Sequence, residues 1–217
     1  MNNISMLKSG LAELNISCSE HQISSFTTYL AELKKWNRAY NLTALKTDRD
    51  IIIKHFLDSL LYLKSIPSGP IRLADAGTGA GFPGIPIKII CPQIHLDLIE
   101  PTRKKASFLR HITRRLDLTD ITVIENRLEH LGQEHEKYYD TIVSRAAFHM
   151  KDFLMAACPY VKDNGLLVLS KGPNMSEELN ELKDSPYRDA VREMVKLQLP
   201  FTDAQRNLII LSCKMGT

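Results

Sequence analysis

Apolar residues recur at helical spacing through the first third of the chain. Leucines and isoleucines near the N-terminus fall three or four positions apart, and a longer apolar stripe follows over Ile23–Tyr40. Asp48 is placed to cap a third amphipathic helix. The Pro67–Pro70 run then interrupts the helical pattern. We therefore expect a helical N-terminal region over residues 1–66 and a second region over residues 67–217.

Beyond this run, short apolar stretches typical of strands alternate with stretches typical of helices. The predicted strands are Ile71–Ala76, Ile94–Glu100, Ile121–Glu125, Thr141–Ser144, Leu166–Ser170, Val191–Leu199 and Leu208–Cys213. The predicted helices are Ile85–Ile90, Arg103–Leu116, Lys151–Tyr160 and Ser176–Leu182. This order predicts an α/β fold whose seven-stranded, mostly parallel sheet has helices on both faces. Only a short loop separates the last two strands, which favours an antiparallel pair.

Composition narrows the class of protein only modestly. The chain has 217 residues, 44% of them hydrophobic, and a net charge of +3, which is too weak to establish a nucleic-acid partner. Its four cysteines are scattered singly, so we expect four reduced thiols and no metal site. The N-terminus does not resemble a signal peptide, and no apolar run reaches membrane-spanning length. We therefore expect a cytoplasmic monomer with no membrane partner.

A glycine-rich loop follows the first predicted strand. Its glycines are Gly77, Gly79 and Gly81, a GxGxG spacing. Glycines there permit a tight turn and close approach of a ligand to the backbone. A dinucleotide-binding fold uses GxGxxG, but its third position is Phe82 in this chain. The observed spacing instead resembles the first motif of S-adenosylmethionine-dependent methyltransferases.

Acidic and apolar residues near the next two strand ends are candidates for a nucleoside. Glu100 ends the second predicted strand, where a carboxylate can accept hydrogen bonds from a ribose diol. A nicotinamide dinucleotide would use the same carboxylate, so Glu100 does not separate the two cofactors. Leu128 and Glu129 follow the third strand, where an adenine would reach. The alternative is a helix N-terminus with favourable acidic charge.

Two cations stand at the ends of later strands. Arg145 ends the fourth strand and is suited to a carboxylate, a phosphate or a guanine edge. Many amino-methylating enzymes of this fold carry an Asn/Asp-Pro-Pro-Tyr/Phe run there, and its absence argues against adenine-N6 chemistry. Lys171 ends the fifth strand and is expected to face the cleft. His55 and Asp58 lie one helical turn apart, with no third metal ligand evident.

Basic residues cluster in two segments. The Pro101–Leu116 segment carries six cations, including Arg103 and Lys104, and no acid, which favours contact with a polyanion. In the helical third, basic residues alternate with Trp36 and Tyr40, an arrangement that suits RNA stacking. Both rings fall on the apolar stripe, so a core role is the preferred interpretation.

Several motifs together resemble one bacterial family, from about residue 7 to about residue 213. They are Lys35-Trp36-Asn37, Tyr40-Asn41-Leu42-Thr43, His55 with Asp58-Ser59, the Gly77–Pro86 loop, Arg103-Lys104-Lys105 before Phe108-Leu109, Ser144-Arg145-Ala146 and Lys171-Gly172. The family is ribosomal RNA small subunit methyltransferase G, also called glucose-inhibited division protein B. The resemblance implies a Rossmann-like class I methyltransferase fold with an N-terminal helical extension. It also implies methyl transfer from S-adenosylmethionine to N7 of one guanine, guanine-527, in 16S rRNA.

The resemblance carries residue roles with it. It implies cofactor contacts at Gly77, Phe82, Leu128, Glu129 and Arg145, to which the glycine loop and the strand-end acid add Gly79 and Glu100. From their charge and position, we expect Arg103, Lys104 and Lys171 to bind RNA, and Arg145 and Lys171 to position the guanine in 16S rRNA or the small ribosomal subunit. No catalytic base is assigned, because guanine N7 carries no proton. The alternatives are a nicotinamide-dependent oxidoreductase, a non-catalytic RNA-binding assembly factor and a small-molecule methyltransferase.

Overall fold

The computed structural model describes residues 2–145, 147–172 and 175–213. Seven strands form one sheet in the order β3-β2-β1-β4-β5-β7-β6. The strands are β1 Arg72–Ala76, β2 His95–Ile99, β3 Ile121–Ile124, β4 Tyr139–Arg145, β5 Val161–Lys171, β6 Val191–Gln198 and β7 Gln205–Leu211. All seven predicted strands are therefore present. The fifth begins five residues before its predicted start, because Val161 already pairs with Tyr139 ahead of a register irregularity.

Helices cover the sheet and build the N-terminal region. They are α1 Asn3–Glu13, α2 Glu20–Tyr40, α3 Asp48–Ile51, α4 Asp58–Leu60, α5 Gly84–Ile90, α6 Arg103–Arg115, α7 Met150–Ala157 and α8 Ser176–Lys183. A π-helical segment, Ile52–Leu57, joins α3 to α4. Helix α2 begins with a capping box in which the side chains of Ser19 and Gln22 bond to each other's backbone. The cap of α3 is Thr47 and not the predicted Asp48, which is the first helical residue.

Strand order places a possible ligand site at the centre of the sheet. Strands β1, β2, β3, β4 and β5 are parallel, and β7 runs antiparallel to both β5 and β6. This confirms the mostly parallel sheet and the antiparallel final pair. The strand order changes direction at β1. From β1 the chain builds the sheet through β2 and β3 on one side, and it then continues with β4 on the other side of β1. Ligands of such sheets bind beyond the carboxyl ends of the strands at this reversal.

The N-terminal helices and one face of the sheet share a single hydrophobic core. Phe26 and Tyr29 of α2, Phe56 of the π-helical segment and Phe82 of the glycine loop belong to the same buried cluster. The Tyr29 hydroxyl donates a hydrogen bond to the backbone oxygen of Ala80 in that loop. The N-terminal helices thus buttress the loop directly. The predicted boundary at residues 66 and 67 stays a prediction.

The structure overturns two expectations about individual side chains. Cys158 and Cys213 form a disulfide across 55 positions of sequence, with a Cα–Cα distance of 5.5 Å, so only Cys18 and Cys91 are free thiols. Spacing alone did not show that the segment after β7 returns to the end of α7. Tyr40, placed in the core by its position on the apolar stripe, is instead 44% exposed.

The described part of the chain contains no helix that is both long and apolar enough to cross a membrane.

Candidate active site

The glycine loop turns sharply at the carboxyl end of β1. Gly77 and Gly79 have φ values of +67° and +62°, a region that favours glycine. The backbone amides of Gly77 and Thr78 both donate to the carbonyl of Ile99 at the end of β2. A Cβ at Gly77 would lie 2.8 Å from the Cβ of Ala147. The loop is thus pressed between the ends of β2 and β4, with its backbone exposed to a ligand.

A buried carboxylate fixes the shape of this loop. Asp75 is fully buried in β1, and its Oδ2 accepts hydrogen bonds from Thr78 Oγ1 at 2.5 Å and from Gly84 N at 2.7 Å. Burial raises the pKa of the carboxyl to about 6, against the lowering effect of these two bonds. Its Oδ1 has no hydrogen-bond partner. The sequence analysis assigned no role to Asp75, although an acid immediately before a glycine loop was the available signal.

Glu100 lies at the end of β2 with its side chain almost entirely buried. Its Oε2 accepts a hydrogen bond from Gly79 N at 3.0 Å, and its Oε1 accepts one from Thr102 N at 2.9 Å. Lys105 Nζ is 4.0 Å from Oε2. An ionised carboxylate has about four acceptor positions. These backbone bonds therefore orient the carboxylate and leave acceptor capacity for a ligand hydroxyl.

A cleft of about 300 Å³ opens beside Glu100. The predicted residues Gly77, Glu100, Leu128 and Glu129 all line it, with Asn126, Arg127 and Phe148 among the others. Leu128 is buried and starts a short 3-10 helix, Leu128–His130, whose first turn has no side-chain cap. The N–H groups of such a turn have no intrahelical partner and are available to a ligand.

Three of the predicted cofactor-binding residues, Gly79, Phe82 and Arg145, do not line this cleft. The guanidinium carbon of Arg145 is 5.2 Å from the centre of the Phe82 ring. The His55 imidazole also stacks on the Phe82 ring, at a centroid distance of 4.3 Å. The structure therefore groups Phe82 and Arg145 with His55, which is part of a family motif but had no predicted role in the site.

The π-helical segment and α4 hold Arg145 in place. Arg145 donates to the Lys54 carbonyl at 3.1 Å, to Asp58 Oδ2 at 3.4 Å and to His55 Nδ1 at 2.9 Å. Arg206 on β7 donates to the other oxygen of Asp58 at 2.7 Å. Burial raises the pKa of Asp58, and the two guanidiniums oppose that rise. The Arg145 side chain, at the carboxyl end of the central strand β4, is thus bound to the N-terminal helices by a buried ionic network.

His55 is neutral and its tautomer follows from its partners. A guanidinium only donates, so His55 Nδ1 is the acceptor for Arg145 and Nε2 carries the proton. Nε2 then donates to Thr43 Oγ1, 2.7 Å away. Burial and the nearby Arg145 charge lower the pKa of His55 to about 3. In the described chain, no group of three or more histidine, cysteine, aspartate or glutamate residues is arranged to bind a metal.

The remaining predicted cations differ in their surroundings. Lys171 donates to the Phe148 carbonyl at 2.6 Å and pairs with Glu178, so its amine holds the wall of the cleft in place. Arg103 and Lys104 are exposed in the first turn of α6. The helix dipole favours acids at that position. Two exposed cations there present positive charge beside Glu100 and the cleft mouth.

Sequence comparison identifies the family. The profile described as rRNA small subunit methyltransferase G matches residues 22–209. The chain belongs to this family. A member from Geobacter sp. (strain M21) is 39% identical over 208 residues, covering 95% of both chains. A member from Acetivibrio thermocellus is 35% identical over 210 residues, covering 95% of this chain and 86% of the relative.

Solved structures resemble this family member in fold. An S-adenosylmethionine-dependent methyltransferase from Aquifex aeolicus has a TM-score of 0.57 at 17% identity, over 75% of this chain and 93% of its own. A precorrin-6y C5,15-methyltransferase from Geobacter metallireducens has a TM-score of 0.54 at 14% identity, over 80% and 91%. The Rossmann-like methyltransferase fold is therefore confirmed, and membership in this family favours a transferase over an oxidoreductase.

Proposed function

We propose that this protein transfers a methyl group from S-adenosylmethionine to N7 of one guanine, guanine-527, in 16S rRNA. The observation that carries the proposal is the cleft at the carboxyl ends of β1 and β2, in a chain that belongs to a family of ribosomal RNA methyltransferases. Gly77, Glu100, Leu128 and Glu129 surround this cleft. Their donor and acceptor types suit a nucleoside with a ribose diol and a flat base.

Each cofactor-binding residue contributes through a feature of its position. Glu100 accepts from the ribose hydroxyls with the acceptor positions that Gly79 and Thr102 leave open. Leu128 supplies an apolar surface for the adenine ring, and free backbone N–H groups of the adjoining 3-10 turn donate to its edge. Gly77 allows the chain of the ligand to pass close to the backbone. S-adenosylmethionine supplies an electrophilic methyl group bound to a sulfonium.

The proposed reaction requires no general base. The lone pair of guanine N7 forms the new N–CH₃ bond while the methyl–sulfur bond breaks and its electron pair stays on sulfur. No proton leaves N7, because that atom carries none. The protein has to align guanine N7 with the methyl group. Such positioning can lower the activation barrier of a reaction by roughly 7–11 kcal/mol in favourable cases.

Two cations are proposed to align the RNA. Arg145 is held at the end of β4 by Asp58, His55 and the Lys54 carbonyl, so its guanidinium has a fixed position from which to meet a guanine edge or phosphate. Lys171 fixes Phe148 at the wall of the cleft, so we assign it a positioning role. Arg103 and Lys104 attract the phosphate backbone at the mouth of the cleft. The cytoplasmic location and monomeric state stay predictions.

Methyl transfer to small ribosomal subunits that lack the modification tests the proposal. The protein is incubated with methyl-labelled S-adenosylmethionine and these subunits, and the RNA is cleaved with borohydride and aniline at 7-methylguanine. One labelled and cleavable site in the 16S rRNA is the expected result. Label without cleavage would exclude N7, and transfer of label to neither subunits nor deproteinised RNA would exclude rRNA methylation.

A further inference from the structure

A second pocket, with three cationic side chains in its lining, lies outside the cleft. It is formed by the C-terminal turns of α2 and the loop over residues 41–47, and its volume is about 400 Å³. Lys34, Arg38 and Lys46 line it together with asparagine and threonine side chains. None of the predicted cofactor-binding or RNA-binding residues belongs to this pocket. Its lining offers several hydrogen-bond donors, and Leu45 contributes apolar surface.

The pocket carries positive charge that its surroundings do not neutralise. Residues 34–49 include five cations and one acid, Asp48. That acid pairs with Lys34 and also accepts a hydrogen bond from Asn3. Across the described residues, no carboxylate forms an ion pair with Arg38 or Lys46. One guanidinium and one ammonium group therefore face the pocket without a counter-charge, which favours an anionic ligand.

The loop that closes the pocket is held in a defined shape. Asn37 bonds the backbone of Thr43 twice, donating from Nδ2 to the carbonyl at 3.0 Å and accepting at Oδ1 from the amide at 2.9 Å. Asn41 ends α2 with a φ of +50°. The Thr43 hydroxyl oxygen accepts a further bond from Leu45 N at 3.2 Å. Hydrogen bonds within the chain thus define the shape of the loop that borders the pocket.

Direct hydrogen bonds connect this pocket with the carboxyl end of β4. Thr43, which lines the pocket, accepts a hydrogen bond from His55 Nε2, and His55 Nδ1 accepts one from Arg145. Arg145 in turn is the last residue of β4. Hydrogen bonds through His55 therefore link Thr43 at the pocket to Arg145 at the end of β4.

We propose that this pocket binds phosphate groups of the 16S rRNA strand that carries the methylated guanine. The inference rests on the proposed function, because rRNA is the polyanion that this function brings to Arg145. Arg38 and Lys46 bind phosphate oxygens, and Asn37 and Asn41 border the site with groups suited to sugar and base edges. The pocket adds affinity for RNA and takes no part in binding the cofactor.

Charge-removing variants test this assignment. Arg38→Ala, Lys46→Ala and the double variant are compared with Lys35→Ala, which removes the same charge from the exposed surface of α2 outside the pocket. Binding to small subunits and to deproteinised 16S rRNA is measured by filter retention at several salt concentrations. Thermal unfolding and calorimetric titration with S-adenosylmethionine serve as controls for folding and for the cleft.

The expected loss is confined to RNA binding. We expect the double variant to bind RNA about tenfold more weakly, and the slope of log K against log salt to fall by about 0.7–0.9 for each lost phosphate contact. Lys35→Ala is expected to bind nearly as the wild type does, and the cofactor Kd to be unchanged in all variants. Equal loss in Lys35→Ala would show general attraction only and overturn the proposal, as would undiminished binding by the double variant.

The same measurements separate this inference from the proposed function. If the wild-type protein binds rRNA through Arg38 and Lys46 but transfers no methyl group, the proposed function fails and the pocket assignment holds. If the wild type methylates guanine N7 and the double variant binds and methylates equally well, only the pocket assignment fails.

Discussion

At the scale of single residues, the site depends on carboxylates whose partners differ. Asp75 is turned inwards and organises the glycine loop, whereas Glu100 is oriented by two backbone amides towards the cleft. Both are buried acids at strand ends, but only Glu100 lines the cleft. Their roles follow from what each oxygen contacts and not from residue type.

We expect Glu100→Gln to weaken cofactor binding by roughly tenfold to a hundredfold. The substitution replaces a charged acceptor by a neutral one, and a hydrogen bond to a charged group contributes about 1.5–3 kcal/mol. Isothermal calorimetry with S-adenosylmethionine measures the change, and Glu136→Gln, at an exposed glutamate outside the cleft, is the matched control. An unchanged Kd for Glu100→Gln would remove the ribose-binding role.

His55 predicts a specific dependence of stability on pH. Its pKa in the folded protein, about 3, lies below the ordinary value of 6.5, so the unfolded chain binds a proton more readily between these values. The stabilisation is present above pH 6.5 and is lost as the pH falls towards 3. At pH 5 the loss is about 2 kcal/mol.

Urea unfolding at pH 7 and pH 5 measures this effect. We expect the acid-induced loss of stability to be smaller in His55→Gln than in the wild type, with exposed His21→Gln behaving as the wild type. NMR titration of the imidazole supplies a direct check, because His55 is expected to stay neutral down to about pH 4. Titration near pH 6.5 would contradict this environment.

At the scale of secondary-structure elements, Arg145 joins β4 to the π-helical segment. Its side chain is 17% exposed and reaches the Lys54 carbonyl, His55 and Asp58. π-helical turns often occur at functional sites. Here the turn brings a carbonyl and an imidazole to the same guanidinium, which fixes the direction of an otherwise flexible side chain.

We expect Arg145→Ala to lower methyl transfer about a hundredfold, since small misplacements of reacting groups have effects of that size. Cofactor Kd is expected to change less than tenfold, because Arg145 does not line the cleft. Single-turnover methylation measures the rate of methyl transfer, and calorimetry measures the cofactor Kd. Arg145→Lys is the comparison variant, because it keeps the positive charge but lacks the guanidinium group. Equal decreases in binding and turnover would make Arg145 a cofactor ligand alone.

At the scale of the whole molecule, the N-terminal helices support the catalytic half. Tyr29 of α2 stacks on Phe82 with ring centroids 5.3 Å apart, and its hydroxyl donates to the Ala80 carbonyl. The glycine loop is therefore packed against a side chain of α2 that is far away in sequence. Loss of this support is expected to affect both stability and cofactor binding.

We expect Tyr29→Phe to lower the free energy of unfolding by about 1–3 kcal/mol, because a buried carbonyl loses its partner. The cofactor Kd is expected to rise as the loop loosens. Urea denaturation and calorimetry measure the two effects, and exposed Tyr40→Phe is the matched control. A variant with wild-type stability and Kd would show that the hydroxyl does not hold the loop.

The disulfide predicts a thiol count for the whole chain. Protein purified without reductant and then unfolded is expected to have two alkylatable cysteines, Cys18 and Cys91, and four after reduction. Closing a loop of 55 residues is expected to contribute about 4 kcal/mol to stability. Mass spectrometry after alkylation counts the thiols, and four labels without reductant would contradict the pairing.

The sequence by itself determined the order and type of the elements. The alternation of strands and helices, the glycine loop and the position of Glu100 at a strand end all depend on residues close together in the chain. Periodicity and turn chemistry are local properties, so they can be read from the sequence. The predicted ends of the elements were wrong where pairing between strands decided them, as at the start of β5. Four of the predicted cofactor-binding residues, Gly77, Glu100, Leu128 and Glu129, line one cleft.

The tertiary structure decided which distant side chains meet. Arg145 is 87 positions from Asp58 and 90 from His55, and the partners of the Cys158 disulfide are 55 positions apart. No local pattern encodes such pairs, because they form only when the helices pack against the sheet. The same packing exposed Tyr40, buried Asp75 and created the pocket around Arg38. Local chemistry determined the elements of this protein, and long-range packing determined which of their side chains form a site.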